Sequence, residues 1–527
     1  MTRHSSPAWL SRVIILISAS SILAAGLVLA LTQRPRLTQT FKDSETKQGS
    51  EIRVAGDGGL QEALNRAEPG DVIVLESGSV YRGPIRLPRK AGNSYITIQS
   101  SRAGELAAGV RVGPGQSGLF AKLQSTLNGQ IVVTTEPGAH HYRFVGIEFS
   151  AAQAGLLSYD LVRFGDNRQA QTTLASVPHH LVIDRCYIHG FATQEVQRGI
   201  TLNSAETSVI NSYISDIHGQ GYDTQALAGW NGPGPFHIVN NYLEAAGENI
   251  MFGGADPGIA NLVPSDIEIR GNYFFKPLSW KVGDPSYGGL HWSVKNLLEL
   301  KNARNVVIDG NVLENNWVDA QNGTGVLFTV RNQEGTAPWS IIENVTFSNN
   351  VVKNSPAALN LLGSDYNYPS QRSTGLTISN NLFTSINGTF LTMQGFYNVT
   401  LDHNTHFQSG NIMTLYGEQS LGFIYRNNLT IRANTGYGVK GDATGEGTIA
   451  LQTFTPGYTF LNNVLMGAEA SQYPRTNFFP KTLSELGVVS PEEGNFRLSD
   501  KSRYKRAGTN GKDIGVDFDR LPPLDKR

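Results

Sequence analysis

The chain has 527 residues, with 43 Lys+Arg against 44 Asp+Glu and a formal net charge of −1. That balance gives no long-range field to attract a nucleic-acid backbone, so a nucleic-acid partner is not expected. Only 17% of residues are charged, 57 are glycine and Cys186 is the single cysteine, which excludes a disordered chain, a disulfide framework and a cysteine-based zinc cluster and points to a turn-rich all-β protein.

Val13 to Leu31 run for 19 residues without a charge. As a helix this stretch would measure about 28 Å, close to a bilayer's hydrocarbon thickness. Arg3 and Arg12 precede it, and Arg34, Arg36 and Lys42 follow. It reads as a transmembrane anchor or as a signal peptide cleaved after Ala30. Either reading places the rest of the chain outside the cytoplasm: membrane-anchored through the N-terminal helix, in the periplasm or at the cell surface, or secreted. The expected organisation is a cytoplasmic flank over 1–12, the apolar segment over 13–31, a polar linker over 32–50, a repeat domain over 51–465 and a closing segment over 466–527.

The repeat domain opens with an amphipathic helix over Leu60–Ala67, followed by Pro-Gly-Asp and a first group of strands. A pattern of alternating apolar residues ending in an Asn-containing pair then recurs: FHIVNNYL from Phe236, IEIRGNYF from Ile267, VVIDGNVL from Val306 and VTFSNNVV from Val345. It continues with LTISNNLF from Leu376, VTLDHNTH from Val399, FIYRNNLT from Phe423 and YTFLNNVL from Tyr458. Each is a short half-buried strand ended by a turn. A second strand family lies between these, beginning at Val162, Ile200, Ile250, Leu298, Phe328, Leu359, Leu391, Met413 and Ile449, with spacings of 22 to 50 residues. A repeat that short leaves no room for a crossover helix, and its uneven length does not suit propeller blades. Stacked coils whose equivalent strands pair in parallel satisfy both constraints.

With its stacked Asn turns, helical opening and closing stretch from Asn495, the chain resembles the right-handed parallel β-helix proteins of the pectate-lyase-like superfamily over about 51–519. The resemblance implies an all-β solenoid of about 11–13 coils, with the Leu60–Ala67 helix capping its first end. The turn asparagines then form a coil-to-coil ladder, and the sequons at Asn322, Asn344, Asn387, Asn398 and Asn428 read as turn and ladder residues. Cys186 reads as an inert core or ladder residue.

Alternation turns Glu299 and Lys301 outward on one strand of the second family and Thr329 and Arg331 outward on the next, so Lys301 and Arg331 are expected in one row. The two longest spacings precede the Ile250 and Leu298 strands. They carry Asp216, His218, Asp223, Trp230, Trp280 and Trp292, which are expected to wall a groove over that row, with Glu248 and Asn249 at its edge. The resemblance implies an acidic polysaccharide as partner and β-elimination as chemistry. Lys301 is then the base, Arg331 the clamp on the uronate carboxylate, and Glu299 the group that positions Lys301. Calcium is a possible cofactor by the same resemblance, and the sequence names no metal ligands. A lysine base needs its usual value near 10.4 lowered, by the adjacent arginine and by desolvation. Two alternatives stay open. One is a non-catalytic glycan-binding or structural β-helix at the cell surface. The other is a glycoside hydrolase using Asp216 and Asp223, although the adjacent Asp pair of the related hydrolases is missing.

Overall fold

A computed structural model of the chain describes residues 49–56, 58–433, 436–490 and 495–523. The apolar run 13–31 and most of the linker lie outside the described residues. Among the described residues no helix is long and apolar enough to cross a membrane.

Three long sheets run the length of the repeat domain. Sheet 1 has 14 strands, from Glu51–Val54 to Thr459–Leu461; sheet 2 has 13, from Val80–Arg82 to Val464–Met466; sheet 3 has 13, from Ile85–Leu87 to Gly445–Glu446. Each coil contributes one strand to each sheet, and a strand pairs in parallel with its equivalents in the coils before and after, as Phe236–Val239 does between Ala205–Ile210 and Ser265–Arg270. This is the right-handed parallel β-helix fold that the asparagine turns indicated. The interior is one continuous apolar column: in sheet 3, Ile200, Leu227, Ile250, Leu298, Val326 and Leu359 stack one per coil, all fully or almost fully buried.

The turn between sheets 1 and 2 explains the recurring Asn pair. Its first residue is left-handed, with φ near +56° at Asn349, Asn380 and Asn427 and +61° at Gly271, a conformation that Asn and Gly tolerate best. Its second residue is the ladder. Asn350 accepts from the backbone N–H and the side-chain amide of Asn311, both at 2.9 Å. It donates to Ile308 O at 3.0 Å and to Asn381 Oδ1 at 3.1 Å. The same pattern links Asn241, Asn272, Asn311, Asn350, Asn381, Asn404, Asn428, Asn463 and Asn477. Ser212 and Cys186 extend the row upstream: the Cys186 N–H donates to Ser212 Oγ, and the Ser212 N–H donates to Asn241 Oδ1. Burial pushes the Cys186 thiol up to about 12, so it is inert.

Both ends are closed by helices. Leu60, Ala63 and Leu64 of the helix Leu60–Arg66 are buried in the main core, which blunts the first strand edges. At the other end the stretch from Ile449, expected as a strand, is the helix Thr448–Phe454, with Ala450 and Leu451 in the core. The last parallel strand of sheet 3 is Val439–Gly441. It turns into a short antiparallel pair with Gly445–Glu446, and the helix then covers the open coil. The closing segment runs back along the outside of the ladder turn: Gly515 N donates to Asn427 O, Val516 N to Thr405 Oγ1 and Asp517 N to Asn380 Oδ1.

Two measurements test this account. Asn350→Ala leaves several buried polar groups unpaired, each worth about 1–3 kcal/mol. It should lower unfolding free energy by about 3 kcal/mol or more, whereas Asn322→Ala, at an exposed position, should stay within about 0.5 kcal/mol. His406 is fully buried, stacked on Phe390 at 3.6 Å and bonded to the Tyr425 hydroxyl at 2.7 Å. Burial lowers its pKa to about 3, so between pH 6.5 and 3 the unfolded chain takes up a proton that the folded chain refuses. Stability should therefore fall as pH drops through that window, and His406→Gln should flatten the slope in urea titrations.

Candidate functional site on the third sheet

The alternation of sheet 3 breaks at one place in successive coils. Leu161 and Val162, Ala226 and Leu227, and Leu297 and Leu298 are consecutive residues that all face the core. The residues flanking each pair are therefore brought to the same outer side: Asp160 with Arg163, and Asn296 with Glu299. The Arg163 Nε donates to Asp160 at 2.8 Å, and the Asn296 amide donates to Glu299 Oε2 at 3.1 Å. In register down five coils, the first flanking position holds Asp160, Arg198, Gln225, Glu248 and Asn296.

A single insertion, residues 276–295, lies beside this row, with a lysine at each end. Lys276 is fully buried and its Nζ donates to the carbonyls of Ala245, Ala246 and Gly247 at 2.7–2.8 Å. Burial lowers its pKa to about 7, against the pull of Glu248. Lys295 Nζ lies 2.6 Å from Asp223 Oδ2 and 2.8 Å from Glu248 Oε1. Although burial opposes it, Glu248 and Asp223 hold that ammonium above the ordinary lysine range. Besides that ion pair, Glu248 Oε2 accepts a hydrogen bond from Gln225 Nε2 at 2.8 Å; burial raises its pKa, and Lys295 opposes the rise. Gln225 Oε1, Asn296 Oδ1 and Asn360 Oδ1 are buried on this sheet without a hydrogen-bond partner.

The expected residues fall into two groups. Glu299, Lys301, Asp223 and Glu248 do gather on sheet 3, with Lys301 Nζ 3.6 Å from Glu299 Oε1. The register pairs Glu299 with Leu327, two residues earlier than the alternation suggested. Arg331 still meets Lys301 on the neighbouring coil through its backbone, its N–H donating to Lys301 O at 2.9 Å. The Arg331 guanidinium turns instead to Asp365 at 3.1 Å and lies 4.4 Å from the Tyr366 ring centre.

Trp280 and Trp292 do not wall a groove. With Trp317, Val294 and Ala246 they form a small buried core under the insertion. His218 is fully buried, stacked on Trp292 at 3.9 Å. Asn249 is inside as well, its amide donating to Leu243 O and Phe275 O. Asp216 belongs to the sheet 2 strand Tyr213–Ile217, while Asp223 faces Lys295, so no bond unites the two. The 50-residue spacing before Ile250 is no long loop: it contains a whole coil, whose sheet 3 strand is Gln225–Gly229.

Sequence reasoning missed Asp160, Arg198, Gln225 and Asn296, because a period of two hides residues that flank a doubled core position, and Lys276 and Lys295, because their places depend on how the insertion folds. It also missed His141, His179 and His180 on sheet 1, the one group of three metal-ligating side chains that converges among the described residues. The carboxylates of sheet 3 do not converge in this way, and Lys295 and Lys301 stand among them. The oxygen-rich cage that calcium needs is therefore not formed by these residues, and no step is routed through that ion. A cavity of about 590 Å³ lies away from this row, where the closing segment rests beside Asp402 and His403; it is an interface within the chain.

No known family profile and no curated protein matches the chain. Among solved structures it is similar to an alginate lyase from Paenibacillus, with 15% identity over 63% of this chain and 95% of that one and a TM-score of 0.31. It is similar also to a pectate lyase, with 16% identity, 91% and 98% coverage and a TM-score of 0.38. A third is the tailspike protein of an E. coli bacteriophage in complex with a pentasaccharide, with 11% identity, 80% and 62% coverage and a TM-score of 0.40. The fold assignment rests on the chain's own three parallel sheets.

Lys276→Met should remove the ammonium that ties three carbonyls together and cost about 3 kcal/mol in urea unfolding. Asp223→Asn, at a half-exposed pair, should cost less than about 1 kcal/mol.

Proposed function

We propose that the chain binds an acidic polysaccharide along sheet 3 and cleaves it by β-elimination. One observation carries the reading: ionisable and amide side chains with unmet acceptors are concentrated on neighbouring coils of one sheet. A solenoid serving only as a stalk needs no such row, because each buried polar group costs free energy unless it is paired. An open parallel face also suits a polymer, whose successive units meet successive coils.

In this reading Lys301 is the base. Its nearest carboxylate, Glu299, stands at 3.6 Å, beyond hydrogen-bond range, whereas Lys295 is held between two carboxylates and Lys276 by three carbonyls. Lys301 Nζ, in its neutral form, takes the proton alpha to the uronate carboxylate. The electron pair left behind forms the new carbon–carbon double bond, and the glycosidic oxygen departs with the other half of the chain. Arg331, fixed by Asp365 and Tyr366, pairs with the uronate carboxylate, and Glu299 receives the ammonium that Lys301 becomes. Glu248, Asn249, His218, Trp280 and Trp292 support this face from within, and Asp223 stands at its surface. The apolar run 13–31 is assigned the task of carrying the repeat domain out of the cytoplasm, as an anchor or a cleaved signal.

Binding without cleavage is the second reading, favoured by a carboxylate partner for each of these cations: Arg198 with Asp160, Lys295 with Asp223 and Glu248, Lys301 with Glu299, and Arg331 with Asp365. Ultraviolet absorbance of unsaturated uronate ends separates the two. The purified protein with pectic, alginate or glycosaminoglycan polymers should generate that absorbance, and Lys301→Ala should abolish it with the thermal midpoint unchanged within a few degrees. Retention on an immobilised glycan with no absorbance supports binding alone. Neither retention nor absorbance overturns both readings.

A further inference from the structure

On sheet 1, outside the row on sheet 3, four imidazoles meet. His140 and His141 open the strand His140–Val145, and His179 and His180 open the strand His179–Asp184 of the next coil, with His179 in register with His140. Adjacent residues of a strand normally point to opposite faces. Here His141 and His180 are left-handed, with φ of 59° and 53°, and both rings of each pair come to one side. His140 stacks on His179 at 4.8 Å and His141 on His180 at 4.2 Å. The Nδ1 atoms of His179 and His180 are 2.6 Å apart. One ring nitrogen from each of His141, His179 and His180 lies within 4.8 Å of the others, all three half-buried.

The backbone does not demand histidine at these places. The left-handed position recurs down the sheet at Glu206, Asp266, Asn305, Asn344 and Asn398, where Asn and Asp meet it and bond from coil to coil, as Asn305 does to Asp266 and Asn344 to Asn305. The position before it holds Ala205, Ser265, Arg304 or Glu343 in other coils.

We propose that His141, His179 and His180 bind one zinc ion, with Glu206 as the positioning residue. Glu206 Oε2 lies 2.6 Å from His180 Nε2. The carboxylate accepts the Nε2–H, which fixes the tautomer and leaves the His180 Nδ1 lone pair directed at His179 Nδ1. A carboxylate behind a histidine is the usual outer support of an imidazole zinc ligand. Without metal, a single proton on His179 Nδ1 bridges the two nitrogens; when zinc takes its place, that proton passes by way of solvent to His179 Nε2, so the ring binds as neutral imidazole. Three imidazoles suit zinc among the common divalent ions and do not suit calcium or magnesium. Zinc–nitrogen bonds of about 2.0–2.1 Å put tetrahedral ligand atoms about 3.4 Å apart, so the His179–His180 pair at 2.6 Å opens and the separations of up to 4.8 Å close, both within the reach of small side-chain rotations. The ion joins two neighbouring coils, so it acts as a clip between them.

The full-length protein, stripped with chelator and dialysed, is titrated with zinc against a chromophoric competitor, and its metal content is measured by atomic emission. We expect one zinc per chain, a higher thermal midpoint with zinc, and a cobalt(II) derivative with the visible absorption of a four-coordinate site. His180→Asn places there the residue that other coils use, so it should fold and lose the zinc. Glu206→Gln should weaken binding by about 10–100-fold. Failure to retain zinc at one per chain overturns the proposal, and so does undiminished binding by His180→Asn.

Discussion

A side-chain amide shut away from water must find partners for both its N–H groups and its oxygen, and in a solenoid those partners lie on the coils above and below. Asn350 meets this requirement with two bonds accepted from Asn311 and donations to Asn381 and Ile308. Shifting one coil by a single residue would leave every such amide in that turn unpaired. The ladder therefore fixes the register of sheets 1 and 2 together, and with it the stacking of the apolar column inside. Coils of unequal length are tolerated because surplus residues leave the path in loops after the ladder position has been set.

Sheet 3 lies opposite that constraint in the chain's course around each coil and is free to depart from it. Doubled core positions, such as Leu297 and Leu298, bring residues three apart to one outer side. That produces the Asp160–Arg163 and Asn296–Glu299 contacts and lines up a polar row across five coils. The insertion over 276–295 borders the row, and its terminal lysines are held by backbone carbonyls at one end and by Asp223 and Glu248 at the other. Charge neutralisation within the row keeps so many ionisable groups compatible with burial: an unpaired carboxylate at the place of Glu248 would cost several kcal/mol.

Much of the fold was legible because its signals are local and repeated. The Asn pairs marked the turn after each sheet 1 strand, alternation marked the strands of sheets 1 and 3, and Leu60–Ala67 read as a helix from its apolar spacing. The sheet 2 strands were harder to see, since strands of three residues such as Tyr273–Phe275 abut the turn asparagine without a break. The strand Gln225–Gly229, QALAG, has weak alternation and was absorbed into an apparent loop. The site was only partly legible for a further reason. Lys301 and Glu299 were found because charged residues stand out on an apolar strand, and Asp223 because it lies in a long spacing, but the turn of the Arg331 guanidinium to Asp365 depends on pairing between coils. The burial of Trp280, Trp292 and His218 likewise follows from how the insertion folds on itself, which no spacing records.

In the proposed function one face, sheet 3 from Asp160 to Arg331, meets the polymer. Hydrogen exchange of backbone amides, followed by mass spectrometry with and without an acidic oligosaccharide, tests it directly. Slowed exchange should concentrate in the strands Val196–Leu202, Gln225–Gly229, Glu248–Phe252, Asn296–Leu300 and Thr324–Thr329 and in the insertion over 276–295. Protection confined to sheets 1 or 2, with sheet 3 unchanged at saturating ligand, would contradict it.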